Sequence, residues 1–142
     1  MAINKSASAV WKGDLKTGRG TVSTESGALA NQPYGFNTRF EGKAGTNPEE
    51  LLGAAHASCF SMALSMILGK DNLTPDSIET TAKVTLEEVE GGFGITAIHL
   101  TTVARIPGAD QARFDDAAKK AKEGCPVSKV LNAKITLDAK LA

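Results

Sequence analysis

The segment "NPEELLGAAHASCFSMALSMILG" constrains this chain more than any other. Thr46 or Asn47 can cap a helix there, and Pro48 suits its first turn. Glu49 or Glu50 stands three residues on from its candidate cap. Gly69 can end the helix. Few charges follow Glu50, so the spacing and composition predict a long helix buried nearly all round. A chain of 142 residues can do this as one domain, residues 1–142, with a core that needs no staples.

The remaining segments supply the layers. Before the helix, short strands are expected around Ala7–Lys12, Gly20–Glu25 and Phe36–Phe40, with "ESGALANQPYG" and "EGKAGTNPEE" as turns. After it, Ile78, Thr80, Ala82, Val84 and Leu86 alternate against Lys83, Thr85 and Glu87. Ile98, Leu100, Thr102, Ala104 and Ile106 repeat the pattern beyond an "EGGFG" turn. A second helix is expected from Asp110 to Glu123, with Phe114, Ala117, Ala118 and Ala121 on its inner face. Cys125 can cap a short helix from Pro126 to about Asn132, and Ile135, Leu137, Ala139 and Leu141 read as a last strand. The order βββ-α-ββ-αα-β describes an α+β fold, with antiparallel sheets packed around a long central helix.

Charge narrows the function. Lysine plus arginine equals aspartate plus glutamate, 16 each, and no basic stripe appears. Nucleic acid and anionic membrane are therefore poor partners. No apolar run approaches about 20 residues, so no membrane span is expected. The start "MAINKSASAVWKGD" lacks the apolar core of a signal peptide. A reducing cytoplasm is the expected compartment, where two cysteines read more readily as thiol chemistry, metal ligation or packing than as a structural disulfide.

Cys59 lies within the long helix, and on its own it can be a small buried hydrophobe. Cys125 precedes a helix start, where unpaired N–H groups favour a thiolate. His56 and Cys59 have H-x-x-C spacing, with Cys125 and His99 as further conceivable metal ligands, but no CxxC or paired-histidine motif supports them. His56 otherwise reads as a satisfied core or interface histidine. Arg39 and Glu49 read alone as a strand arginine and a first-turn carboxylate. Glu49 and Cys59 stand ten residues apart, about 15 Å along one straight helix. Glu49 can serve a thiol only from a second subunit, which points to a dimer with shared sites.

Four stretches, "GTVSTESG", "QPYGFNTRFEG", "GTNPEELLGAAHASCFSMALS" and "AKEGCPVSKVL", resemble the OsmC branch of the OsmC/Ohr family of bacterial thiol peroxidases. The likeness runs along essentially the whole chain and rests on both cysteine contexts together. It implies an intertwined homodimer whose long central helices lie between sheets from both chains. It also implies reduction of hydroperoxides, organic ones especially, in stress defence, by cysteine without metal or flavin. By that resemblance Cys59 is the peroxidatic residue, Cys125 the resolving residue, Glu49 the catalytic carboxylate and Arg39 its partner. The implied chemistry forms a Cys59 sulfenic acid and then a Cys59–Cys125 disulfide. An external dithiol, such as a lipoyl type, or a small thiol reopens it. Leu52, Phe60, Met62 and Met66, with Phe36 and Phe93, are the expected pocket walls. The competing class is a non-enzymatic, stress-induced binding or structural dimer in which both cysteines are packing.

Overall fold

The computed structural model describes every residue, Met1–Ala142, and the chain divides into two compact units, Met1–Leu51 and Leu52–Ala142. In the first unit, β1 (Ala7–Lys12), β2 (Arg19–Thr24) and β3 (Gln32–Tyr34) form an antiparallel sheet in that order. Gly20 lies where Trp11 and Tyr34 converge; a Cβ there would come within 2.6 Å of both rings. Only glycine lets the two aromatics close over the strand.

The expected third strand at Phe36–Phe40 is instead a short helix, α1 (Phe36–Phe40). Phe36, Thr38 and Phe40 alternate, but the i,i+4 spacing of the two phenylalanines serves a helix equally well. Their rings meet at 4.9 Å between centroids. The Gly35 N–H donates to Thr38 Oγ1, and that hydroxyl donates back to the Gly35 carbonyl, both at 3.0 Å. This local closure satisfies the backbone without a neighbouring strand. The strand forms just before it, at Gln32–Tyr34.

Helix α2 (Pro48–Lys70) begins as the sequence suggests. Asn47 Oδ1 accepts the Glu50 N–H at 2.9 Å, and the Asn47 amide reaches back to the Glu50 carboxylate. The helix ends one residue beyond Gly69. It is not buried nearly all round in the single chain. Gly53, His56, Phe60, Leu64 and Leu68 are buried, whereas Met62 and Met66 are 75% and 62% exposed. One sheet covers one face of a helix and no more. By length and composition α2 would also suffice to cross a membrane, contrary to the expectation that no segment would. Its buried line belongs to the core of the second unit, as in the central helix of a globular protein.

In that unit β4 (Ser77–Val89) and β5 (Gly92–Arg105) form a long antiparallel hairpin. Ile98, Leu100, Thr102 and Ala104 line its buried face, and Ile106 follows just beyond the strand. Helices α3 (Gln111–Gly124) and α4 (Pro126–Val130) then lead to β6 (Lys134–Leu141), which pairs with β5 in parallel. This pairing departs from the all-antiparallel expectation. Two intervening helices carry the chain back to the start of β5, so β6 must run in the same sense. Phe114, Ala117, Ala118 and Ala121 of α3 complete the core. Ser61 on α2 bonds Thr80 at 2.8 Å, and Thr80 bonds the buried Thr102 at 2.9 Å, pinning the helix to the hairpin.

Candidate active site

The singled-out residues fall into two pairs, one in each unit. Arg39 on α1 and Glu49 in the first turn of α2 make a bidentate ion pair. Nε reaches Oε1 at 2.9 Å and Nη2 reaches Oε2 at 3.0 Å. Parallel N–H···O bonds fix the guanidinium plane as well as neutralising it. Its carbon also lies 5.4 Å from the Phe40 ring centroid. Arg39 therefore stands on a helix and not on the strand expected for it.

The cysteines form the second pair. Cys125 ends α3 and caps α4: its N–H donates to the Ala121 carbonyl, and its sulfur accepts the Ser128 N–H at 3.3 Å. Pro126 as first helical residue leaves no competing donor at that position. Cys59 faces this turn from the half-buried side of α2, and the two thiols are near enough to act on each other's ionisation. The Val127 N–H acts on both sulfurs. Burial pushes the Cys59 thiol up, and the neighbouring Cys125 raises it further. Burial pushes Cys125 the same way, but the Ser128 hydroxyl and N–H, the Cys59 thiol and the Val127 N–H together outweigh it and bring Cys125 down. Within one chain these partners favour an anion on Cys125 over one on Cys59. Burial, Cys125 and the Val127 N–H are the influences on Cys59, and none of them is a cation that would reverse the order.

A surface cavity of about 980 Å³ opens beside Cys59. Met62, Ala63, Met66 and Ile67 of α2 face Ala117 of α3 and Val127 of α4 across it. Met62 and Met66 were expected here, but Leu52, Phe60, Phe36 and Phe93 are not among its walls. Phe60 is fully buried in the core, because His56, Phe60, Leu64 and Leu68 share the four-residue period that faces the sheet. That spacing was legible and would have assigned Phe60 correctly.

Ser128, which carries no sequence signal of its own, joins His56 to the sulfur pair. The Ser128 hydroxyl lies 3.4 Å from the Cys125 sulfur and 2.7 Å from His56 Nε2. Ser128 stands three residues after a capping cysteine, where an N3 side chain naturally returns to its cap. His56 is buried and only half satisfied, since its Nδ1 has no hydrogen-bond partner. His99 bonds Thr136 and Asp138 on β6 instead of joining His56 and the cysteines.

Comparison with known proteins follows the same lines. The family model described as OsmC-like protein matches residues 40–140. The chain is 62% identical over 141 residues to Peroxiredoxin OsmC of Escherichia coli (strain K12), covering 99% of each chain. It is 31% identical over 123 residues to the organic hydroperoxide resistance protein OhrB of Bacillus subtilis (strain 168), covering 86% of this chain and 88% of that one. The crystal structure of Bacillus subtilis OhrB superposes with a TM-score of 0.70 over 95% of this chain and 98% of that one, at 28% identity.

Burial holds the His56 imidazole below its ordinary 6.5. The unfolded chain, not the folded one, takes up the proton as pH falls through that value. Its contribution to stability is therefore complete above 6.5 and declines below it. Unfolding free energy measured by denaturant titration should fall between about pH 7 and pH 5, and His56→Gln should flatten that slope. An equal slope in both proteins would place the proton uptake elsewhere.

Proposed function

The chain belongs to the OsmC-like protein family, and from that premise we propose that it is a cysteine-based peroxidase reducing hydroperoxides, organic ones in preference, in defence against oxidative and osmotic stress. The observation that carries this reading is the Cys59–Cys125 thiol pair beside an apolar cavity. The similarity to a named peroxiredoxin and to organic hydroperoxide resistance proteins supports it. The Cys59 thiolate attacks one peroxide oxygen, the O–O bond breaks, and the departing alkoxide takes a proton to leave as an alcohol. Cys59 is left as a sulfenic acid. Cys125 then displaces its hydroxyl as water, forming a disulfide that halts further oxidation of Cys59. An external dithiol, of which a lipoyl type is one, or a small thiol supplies the two electrons that reopen it. Sulfur carries the whole cycle, which takes place in the reducing cytoplasm.

The nucleophile needs a cation. We infer that Arg39, aligned by Glu49, reaches Cys59 from a second copy of the chain and moves the anion from Cys125 to Cys59. The ten-residue separation of Glu49 and Cys59 on α2 supports this. So do the exposed Met62 and Met66, and a β1 strand exposed along its whole length with Val10 and Trp11. In the resulting intertwined homodimer, residues 1–142 act as a single OsmC-like domain.

The walls of the cavity favour an organic tail, at about 0.8 kcal/mol per buried methylene. Four such groups give roughly 3 kcal/mol, on the order of a hundredfold in rate if the contact is kept in the transition state. Cys59→Ser should abolish peroxide consumption. Cys125→Ser should consume about one equivalent and leave a trappable sulfenic acid, with rate constants that rise along a series from hydrogen peroxide to longer alkyl hydroperoxides. Undiminished turnover in both variants would end the enzyme reading, and a flat series would end the organic preference alone.

Coexpressed Cys59→Ser and Glu49→Ala chains should form heterodimers with one intact site and one lacking both groups. Activity that neither homodimer shows should then return. Verified heterodimers without activity would argue for sites built within one chain.

A further inference from the structure

The peroxide chemistry above makes no use of His56 or Ser128, yet both are joined to the sulfur pair. The Ser128 hydroxyl sits between His56 Nε2 at 2.7 Å and Cys125 Sγ at 3.4 Å, and the Ser128 N–H reaches the same sulfur at 3.3 Å. Both residues are buried. The direction of the chain follows from the one atom left over, His56 Nδ1, which has no partner. A buried N–H without an acceptor is costlier than a ring lone pair without a donor. The imidazole hydrogen therefore sits on Nε2 and is given to Ser128 Oγ. With its accepting side occupied, the hydroxyl turns its own hydrogen toward Cys125.

We propose that His56 and Ser128 are positioning residues for the resolving step, a donor relay from Nε2–H through Oγ–H to Cys125 Sγ that holds this sulfur as a thiolate aimed at Cys59. The proposal rests on the reading of Cys59 and Cys125 as a disulfide-forming pair. In that step the Cys125 thiolate supplies the electron pair of the new S–S bond. The S–O bond of the Cys59 sulfenic acid breaks, and hydroxide leaves with its electrons, to be protonated from solvent. The oxidising equivalents come from the hydroperoxide already consumed. The groups that stabilise the Cys125 anion are the Ser128 hydroxyl and N–H, the Cys59 thiol and the Val127 N–H, all of them neutral donors. Two donors from Ser128 on one sulfur take the place of a cation. A hydroxyl freed from His56 could rotate and accept from the S–H instead, favouring the inert thiol.

The relay predicts opposite effects on the two half-reactions, because an anion on Cys125 disfavours a second anion on the neighbouring Cys59. With tert-butyl hydroperoxide as oxidant, sulfenic acid formation is followed by β-diketone trapping and disulfide closure by loss of trappable product. Ser128→Ala should slow closure by about tenfold or more, the effect of one pKa unit on the thiolate fraction. The same variant should oxidise Cys59 as fast as the native chain or faster. Ser128→Thr, which keeps the hydroxyl, should restore closure. His56→Leu should repeat the pattern of Ser128→Ala with smaller amplitude. In a Cys59→Ser background, thiolate absorbance should show Cys125 titrating at higher pH once Ser128 is alanine. Closure at the native rate in Ser128→Ala, or a common slowing of both steps, would overturn the relay. If the native chain forms neither sulfenic acid nor disulfide, the peroxidase reading fails instead, and the thiolate titration still decides the relay.

Discussion

Burial of Phe60, Leu64 and Leu68 of α2 against the β4–β5–β6 sheet sets the rotation of that helix, and with it the direction in which Cys59 points. Each such side chain stabilises the fold by about 1.5–3 kcal/mol on leaving water. A hydrogen bond such as Ser61 to Thr80 adds about 1 kcal/mol. Packing therefore decides that α2 docks, while the Ser61–Thr80–Thr102 chain selects one rotation among those packing would tolerate. Cys59, one position before Phe60, is turned about 100° away from the core line. It comes to rest against the α3–α4 turn that carries Cys125. The reactive face is a consequence of the buried one.

Much of this was legible because several local signals agreed. Asn47, Pro48 and Glu50 mark the start of α2, Asp110 the start of α3, and Cys125 with Pro126 the start of α4. The alternation along Ile98–Ala104 named the buried face of β5 correctly. Phe36–Phe40 misled because its apolar spacing fits two periods, and only the Gly35–Thr38 closure decides between them. The parallel pairing of β6 is set by the path of two helices, a tertiary fact that strand alternation does not encode.

The site was legible as residue types and less so as relationships. Cys59 and Cys125 stand in separate elements, and the fold brings their thiols near enough to influence each other's ionisation. Arg39 and Glu49 meet through a helix whose apolar spacing fits a strand equally well. The polar surroundings of Cys125 went unread because a serine and a core histidine carry no motif until they converge. Their effect is to hold the anion on the wrong sulfur for peroxide attack and the right one for resolution. A cation at Cys59 reverses that order for the first step, so the two half-reactions ask for different charge arrangements around one sulfur pair.

The most direct test of the sulfur pair is mass spectrometry of thiol-blocked, digested protein after one equivalent of an organic hydroperoxide. Mixing isotopically labelled and unlabelled chains before oxidation makes the origin of any cross-link visible. A Cys59–Cys125 disulfide formed within single chains, with no mixed-label product, is the expected result. Both cysteines recovered as blocked free thiols after the peroxide has been consumed, or a cross-link found only between chains, would contradict it.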